Sequence, residues 1–293
     1  MNLTGFFDQN SKSIDTQLEL YKQLDIKSLS FRYFNEQTLL HIDGSILKEL
    51  PLKLKKEKLT IQVIDAMYYY HLLSVQKNEL TLLFQNAEAL GTKYLILCLP
   101  LIDSFDLQHD ILVEHLKYIL DETKKKHFEV VFKMHRGFAV GQLAYLVNEV
   151  KNIKFVLDAP LIHILGSSVT TTYRILKNNT AIITIYDIDK DNQPYLLGFG
   201  SSGIIDVLKK AQRDKYKGLY LMDNNLIDYI QNRKDVFEQK RFLGLFSRNK
   251  KEKLYYEKID QKLKITKETD LTMLDMHKVF ISVVKKVIDQ KGE

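Results

Sequence analysis

The chain contains a single cysteine, Cys98. One thiol excludes an internal disulfide and suits a reducing compartment. No run of about eighteen apolar residues occurs, so nothing in the sequence is suited to spanning a membrane. Residues 1–10 lack a basic segment followed by an apolar core, so no secretory signal is expected there. Together these absences lead to the expectation of a soluble, cytoplasmic protein. Proline is scarce as well, and two of the four, Pro100 and Pro160, close short apolar runs.

The 293 residues suffice for one large domain or two smaller ones, and a hydrophobic content of 45% is ordinary for a globular protein. The net charge of +6 is local. Between Arg233 and Lys264 stand eleven basic residues and five acids, so this stretch carries the whole excess and the remainder is neutral. A basic segment can contact nucleic-acid phosphates, but solvated lysines on a surface insert are commoner, and nucleic acid is not the expected partner.

The chain is organised around KFVLDAP, residues 154–160. Phe155, Val156 and Leu157 read as a strand buried on both faces, with Asp158 at its carboxyl end. Open α/β sheets and barrels keep their chemistry at that end. Strand-like runs also occupy residues 1–7, 27–33, 59–65, 93–99, 129–135, 181–186 and 218–222. Helical periodicity fills residues 13–24, 45–58, 78–90, 108–125, 141–151, 162–176 and 203–215 between them. Roughly eight strands alternating with helices predict an α/β fold, a (β/α)8 TIM barrel. Residues 225–265 break the rhythm with charge and the aromatic pairs Phe242/Phe246 and Tyr255/Tyr256. They are expected to form an insertion after the eighth strand, a lid over the active face, or else a C-terminal extension. Residues 269–290 would supply the last helix of a single domain spanning 1–293.

Three segments carry a resemblance: AEALGTKYLILC (87–98), KFVLDAP, and LLGFGSSGIIDVLKKA (196–211). With the strands placed as above, the sequence resembles the sugar phosphate isomerase/epimerase family, a xylose isomerase-like barrel group that includes endonuclease IV. The resemblance covers residues 1–223. It implies one divalent metal held by a Glu, an Asp, a His and a second Glu, with two carboxylates moving protons beside a sugar carbonyl. Carried over, the first Glu falls on Lys133, the Asp on Asp158 and the last Glu on Asp223, while the histidines fall near Leu161, on Thr184 or Tyr186, near Ile64 and on Cys98. His135 and Arg32 match the family pattern.

A charged ammonium cannot ligate a metal. The implied site is therefore a metal-free cluster of Lys133, His135, Asp158, Tyr186 and Asp223, with Lys133 paired to Asp158 and Asp223. No cofactor is expected; Mn or Mg stays open if the family's site is kept in altered form. Asp158 and Asp223 would be acid and base, and Lys133 and His135 would stabilise an enolate. Arg32, Tyr186, Asp189, Gly200, Ser201 and Ser202 would bind substrate, the serines holding a phosphate at a helix start. The substrate would be a sugar or sugar phosphate, with oligomeric state open. The alternatives are a non-catalytic sugar- or partner-binding barrel and an endonuclease IV-like DNA binder.

Other motifs fail on context. Gly198, Gly200 and Gly203 spell G-x-G-x-x-G without the preceding strand that a dinucleotide site requires. Asp187, Asp189 and Asp191 begin like a calcium loop, but Asn192 and Gly198 replace its Gly and Glu. His71, His109, His115, His127, His163 and His277 show no ligand spacing and are expected to be surface or satisfied residues. Cys98 reads as a small buried residue.

Overall fold

Strand runs such as Tyr94–Cys98 and Thr180–Ile185 are buried at every position, as strands covered on both faces must be. The computed structural model describes residues 2–238, 247–266 and 268–289, with backbone alone at 234–238, 247–252 and 289. It begins with β1 (Leu3–Gly5), α1 (Ile14–Gln23), β2 (Ser28–Phe31), α2 (Gly44–Lys56), β3 (Thr60–Asp65) and α3 (Lys77–Leu90). Next come β4 (Tyr94–Cys98), α4 (Phe105–Thr123), β5 (Glu129–Lys133), α5 (Val140–Glu149) and β6 (Phe155–Asp158). After these lie α6 (Ala159–Ile164), α7 (Val169–Leu176), β7 (Thr180–Ile185), β8 (Asp187–Ile188), β9 (Pro194–Tyr195), α8 (Ile204–Arg213) and β10 (Leu219–Met222). The chain ends in α9 (Ile227–Glu238), α10 (Ser247–Leu263) and α11 (Met273–Asp289).

Eight strands form one parallel sheet in the order β1-β10-β7-β6-β5-β4-β3-β2, which curls into a nearly closed barrel. Phe6, Val63, Ile96, Val131, Val156, Ile182 and Leu221 help fill its interior. A larger apolar cluster packs the outer face against the helices. This is the (β/α)8 architecture expected from the alternation.

The ends of the order, β1 and β2, meet through hydroxyl groups. The Thr4 hydroxyl donates to the Ser28 carbonyl at 2.6 Å and lies 2.8 Å from Ser30 Oγ. The buried Tyr21 hydroxyl accepts from the Ser30 N–H at 2.5 Å and also contacts the carbonyls of Gly5 and Ser30.

Local chemistry adjusts the expected helix over 162–176, which is two helices. Gly166, at φ +71°, stops α6 in a conformation that favours glycine, and the Ser168 side chain caps α7. A small antiparallel hairpin, β8–β9, follows the seventh barrel strand and was not predicted.

In the C-terminal region Met276, Phe280 and Val284 of α11 are buried, and Gln212 of α8 donates to the Ile288 carbonyl at 2.7 Å. α9 and α10 are joined by Arg233, which donates through Nε to Asp260 at 2.7 Å and reaches the carbonyls of Thr266 and Thr269. One cation of the basic stretch is thus buried and internally paired. Tyr255 on α10 donates to the Pro194 carbonyl of the hairpin. Phe242 and Phe246 lie outside the described residues.

His277 departs from expectation. It is only 1% exposed, and among the described residues neither ring nitrogen has a partner. Its ring packs on Phe7 with centroids 4.6 Å apart.

Two stability predictions follow from this packing. Tyr21→Phe strands the buried Ser30 N–H at the barrel seam and should cost about 1–3 kcal/mol in urea unfolding; an unchanged midpoint would show that the hydroxyl does not hold the seam. Burial pushes the His277 pKa down to about 4 from 6.5. The unfolded state then binds the proton first, so stability falls as pH drops from about 6.5 towards 4 and levels off below. His277→Phe should shrink the loss between pH 7 and pH 4 by about 3 kcal/mol, measured by urea unfolding at the two pH values.

Candidate functional site

Six strand segments send polar side chains to the C-terminal mouth of the barrel. A cavity of about 280 Å³ there is lined by Arg32, Asp65, Lys133, Asp158, Tyr186 and Asp223, with Phe6, Tyr69, Cys98, His135 and Arg136 among its other walls. Apart from Arg136, the charged groups fall into three units.

Arg32, just past β2, bridges two carboxylates. Its Nε and Nη2 meet Asp8 at 2.8 and 2.5 Å, and Nη1 meets Asp223 at 3.0 Å. The guanidinium also lies 4.4 Å from the Phe6 ring centroid. Lys133, at the end of β5, donates to Asp65 at the end of β3 across 2.6 Å. Tyr186, past β7, donates to Asp158 Oδ1 at 2.8 Å, and the same oxygen accepts the Leu161 N–H at 3.0 Å. That second bond makes Asp158 the N-cap of α6 as well as a pocket residue.

Burial and charge compete at each unit. Burial disfavours the Lys133 ammonium, but Asp65 and Tyr69 outweigh it and hold the amine above its ordinary range. Burial pushes the Asp158 carboxyl up, against the pull of the Leu161 N–H and Tyr186. It pushes Asp223 up likewise, against Arg32. The Tyr186 phenol is raised by burial and by the adjacent Asp158. Cys98 is buried, and its thiol is pushed up to about 11 by burial, Lys133 acting in the opposite sense. It is a wall and not a nucleophile.

The structure brings Arg32, Lys133, His135, Asp158, Tyr186 and Asp223 to one cavity. The pairing differs from expectation: Lys133 faces Asp65, and Asp223 faces Arg32. His135 is occupied by the backbone. Its Nδ1 accepts the Gly137 N–H at 3.0 Å, and its Nε2 lies 3.3 Å from the Pro100 carbonyl, which can only accept. Those partners occupy both ring nitrogens, so the ring is not placed to stabilise an enolate.

Asp189, Gly200, Ser201 and Ser202 are not among the residues that line this cavity. The expected phosphate cradle is filled from within. The Asp187 carboxylate accepts the N–H groups of Gly198, Gly200 and Ser202 and the Ser202 hydroxyl, the last at 2.6 Å. Ser201 turns both its N–H and its hydroxyl to the Ile188 carbonyl. Asp189 accepts the N–H groups of Asp191 and Gln193 and closes the hairpin turn.

Sequence reasoning missed Asp8, Asp65 and Arg136. Asp65 ends the run LTIQVID just as Asp158 ends KFVLD, so the signal was there.

No family model matches the sequence, and no curated protein does either. Solved structures do match. The IOLI protein with a binding zinc atom aligns at a TM-score of 0.68 and 14% identity, covering 100% of each chain. The fold of this chain is the (β/α)8 barrel that it shares with these structures. D-psicose 3-epimerase from Clostridium cellulolyticum H10, solved with D-tagatose, shares this barrel at a TM-score of 0.66 and 13% identity, over 98% of this chain and 99% of that one. The 3-keto-D-glucoside 4-epimerase YcjR from E. coli aligns at 0.60 and 11%, over 76% of this chain and 92% of its own.

A divalent ion needs several donors free to turn towards it. In this barrel Asp65 faces an ammonium, Asp223 faces a guanidinium, and both His135 nitrogens are held by the backbone. Among the described residues no three of His, Cys, Asp and Glu are arranged to hold a metal. The donor set does not fit the Mn or Mg left open by the resemblance.

Asp65 is 5% and Lys133 22% exposed at the side chain. Removing one partner of such a pair leaves the other charge uncompensated, whereas removing both is far milder. Lys133→Met should therefore cost on the order of 3 kcal/mol, and adding Asp65→Asn should recover at least half of it. Thermal and urea unfolding of the single and double variants would check this; additive losses would show that the two groups are uncoupled.

Proposed function

We propose that the chain acts on a sugar-class substrate by moving a proton at the carbon next to a carbonyl. The carrying observation is the pair Asp158 and Asp223: two carboxyl groups pushed up by burial, lining one cavity with the fixed cations Lys133 and Arg32. A general acid or base works best when its pKa approaches the working pH. One carboxylate takes the carbon-bound proton while the other supplies or receives a proton across the intermediate. Charge then develops on the former carbonyl oxygen, and a preorganised ammonium at Lys133 offers compensation without reorganising. Two of the similar solved structures are epimerases, which supports this class of chemistry. The hairpin β8–β9 and α9 follow strands that end at the mouth, and Tyr255 of α10 bonds to the hairpin, which supports reading the described part of residues 225–265 as its cover.

Incubation of the protein with a panel of ketoses and aldoses in D2O, followed by NMR, tests the reading. Deuterium should enter at the carbon next to the carbonyl, and Asp158→Asn or Asp223→Asn should slow its entry by about 100-fold or more. The low-pH limb of the rate should fall above the ordinary carboxylate range, since both groups are raised. Sugar binding without any exchange would make this a non-catalytic barrel.

A further inference from the structure

Three Lys and Arg side chains line the cavity, and two of them are neutralised within it. Arg32 is held by Asp8 and Asp223, and Lys133 by Asp65. Arg136 has no carboxylate partner among the described residues, and it lies exposed at the rim. It lines the same cavity as Asp158 and Tyr186.

The mount of this arginine is rigid. Residues 135–138 form a turn closed by the Phe138 N–H donating to the His135 carbonyl at 3.1 Å. Inside the turn the His135 ring takes the Gly137 N–H on one nitrogen and meets the Pro100 carbonyl with the other. The ring also sits edge-on to buried Phe138, centroids 5.0 Å apart. A β-carbon on Gly137 would fall 2.7 Å from His135 Cε1, so the turn and the imidazole exclude any larger residue there. His135 thus serves as a brace for the segment that carries Arg136. That is a positioning role, in place of the enolate contact expected from the sequence.

We infer that Arg136 is an anion-recognition residue, and that the substrate is a sugar bearing a phosphate or carboxylate group that reaches the rim at Arg136. A fork of guanidinium N–H groups suits either oxyanion. The site predicted for a phosphate, at residues 200–202, is already filled by Asp187, which leaves Arg136 as the pocket's unpaired cation among the described residues. The substrate class rests on the proton-transfer reading above, whereas the anion site itself does not.

The experiment separates the two. Isothermal titration of the whole chain with inorganic phosphate and with acetate probes the anion site alone. Titration with fructose, fructose 6-phosphate and glucuronate probes the sugar and tells the two oxyanions apart. Wild type should bind at least one charged sugar about tenfold more tightly than fructose, and this preference should weaken as ionic strength rises. Arg136→Gln should bring that ratio near one, Arg136→Lys should keep part of it, and Gly137→Ala should lower it by disturbing the mount. An anion preference unchanged in Arg136→Gln, or equal binding of charged and neutral sugars by wild type, would overturn the inference and leave the sugar reading intact. Phosphate binding that depends on Arg136 without binding of any of the three sugars would keep the anion site and count against the sugar class. If neither phosphate nor any sugar binds, both fail.

Discussion

The ion pair between Lys133 and Asp65 is the constraint on which the rest of the site depends. An ammonium at the end of β5, 2.6 Å from a carboxylate at the end of β3, sets a fixed ion pair in the mouth of the barrel. The carboxylate so held is not free to turn towards a dication. The remaining acids therefore take other partners: Asp223 turns to Arg32, and Asp158 to Tyr186 and the start of α6. The same pair rules out an easily formed imine at Lys133, since a carboxylate neighbour keeps the amine protonated. What is left is a preorganised, charge-balanced mouth in which two raised carboxyl groups remain for proton transfer.

The fold was legible because its signal is periodic. Buried strands such as Ile182–Ile185 and one-sided helices such as α11 repeat their pattern over many residues, and eight such units admit few architectures. The carboxyl ends of strands were legible for the same reason, which is how Asp158 and Asp223 came to share a cavity. Pairings inside the site were not. Whether Lys133 meets Asp65 or Asp158 depends on which strand ends lie across the mouth from each other, and no local pattern encodes that. The break at Gly166 and the hairpin at 187–195 rest on single turns too short to leave a period.

The glycine- and serine-rich segment 198–202 shows how a motif can be right in form and wrong in occupant. Its backbone N–H groups do converge on an anion, as such loops are built to do. The anion is the chain's own Asp187, thirteen residues before Gly200. A side-chain carboxylate in that position anchors the return from the hairpin to α8 and closes the cradle to any outside ligand. The imidazole of His135 follows the same principle, since a residue type associated with catalysis is here consumed by the backbone around it.

The seam between β1 and β2 has a consequence for how the barrel assembles. By backbone hydrogen bonds β1 pairs with β10, the last barrel strand to be made, while its link to β2 rests on the side chains of Thr4, Tyr21 and Ser30. The chain is made from the N-terminus, so the backbone ladder of β1 cannot form before Leu219–Met222 exist. Closing the barrel therefore means pairing strands that stand at opposite ends of the barrel's sequence, Leu3 beside Tyr220, the longest-range ladder in the sheet.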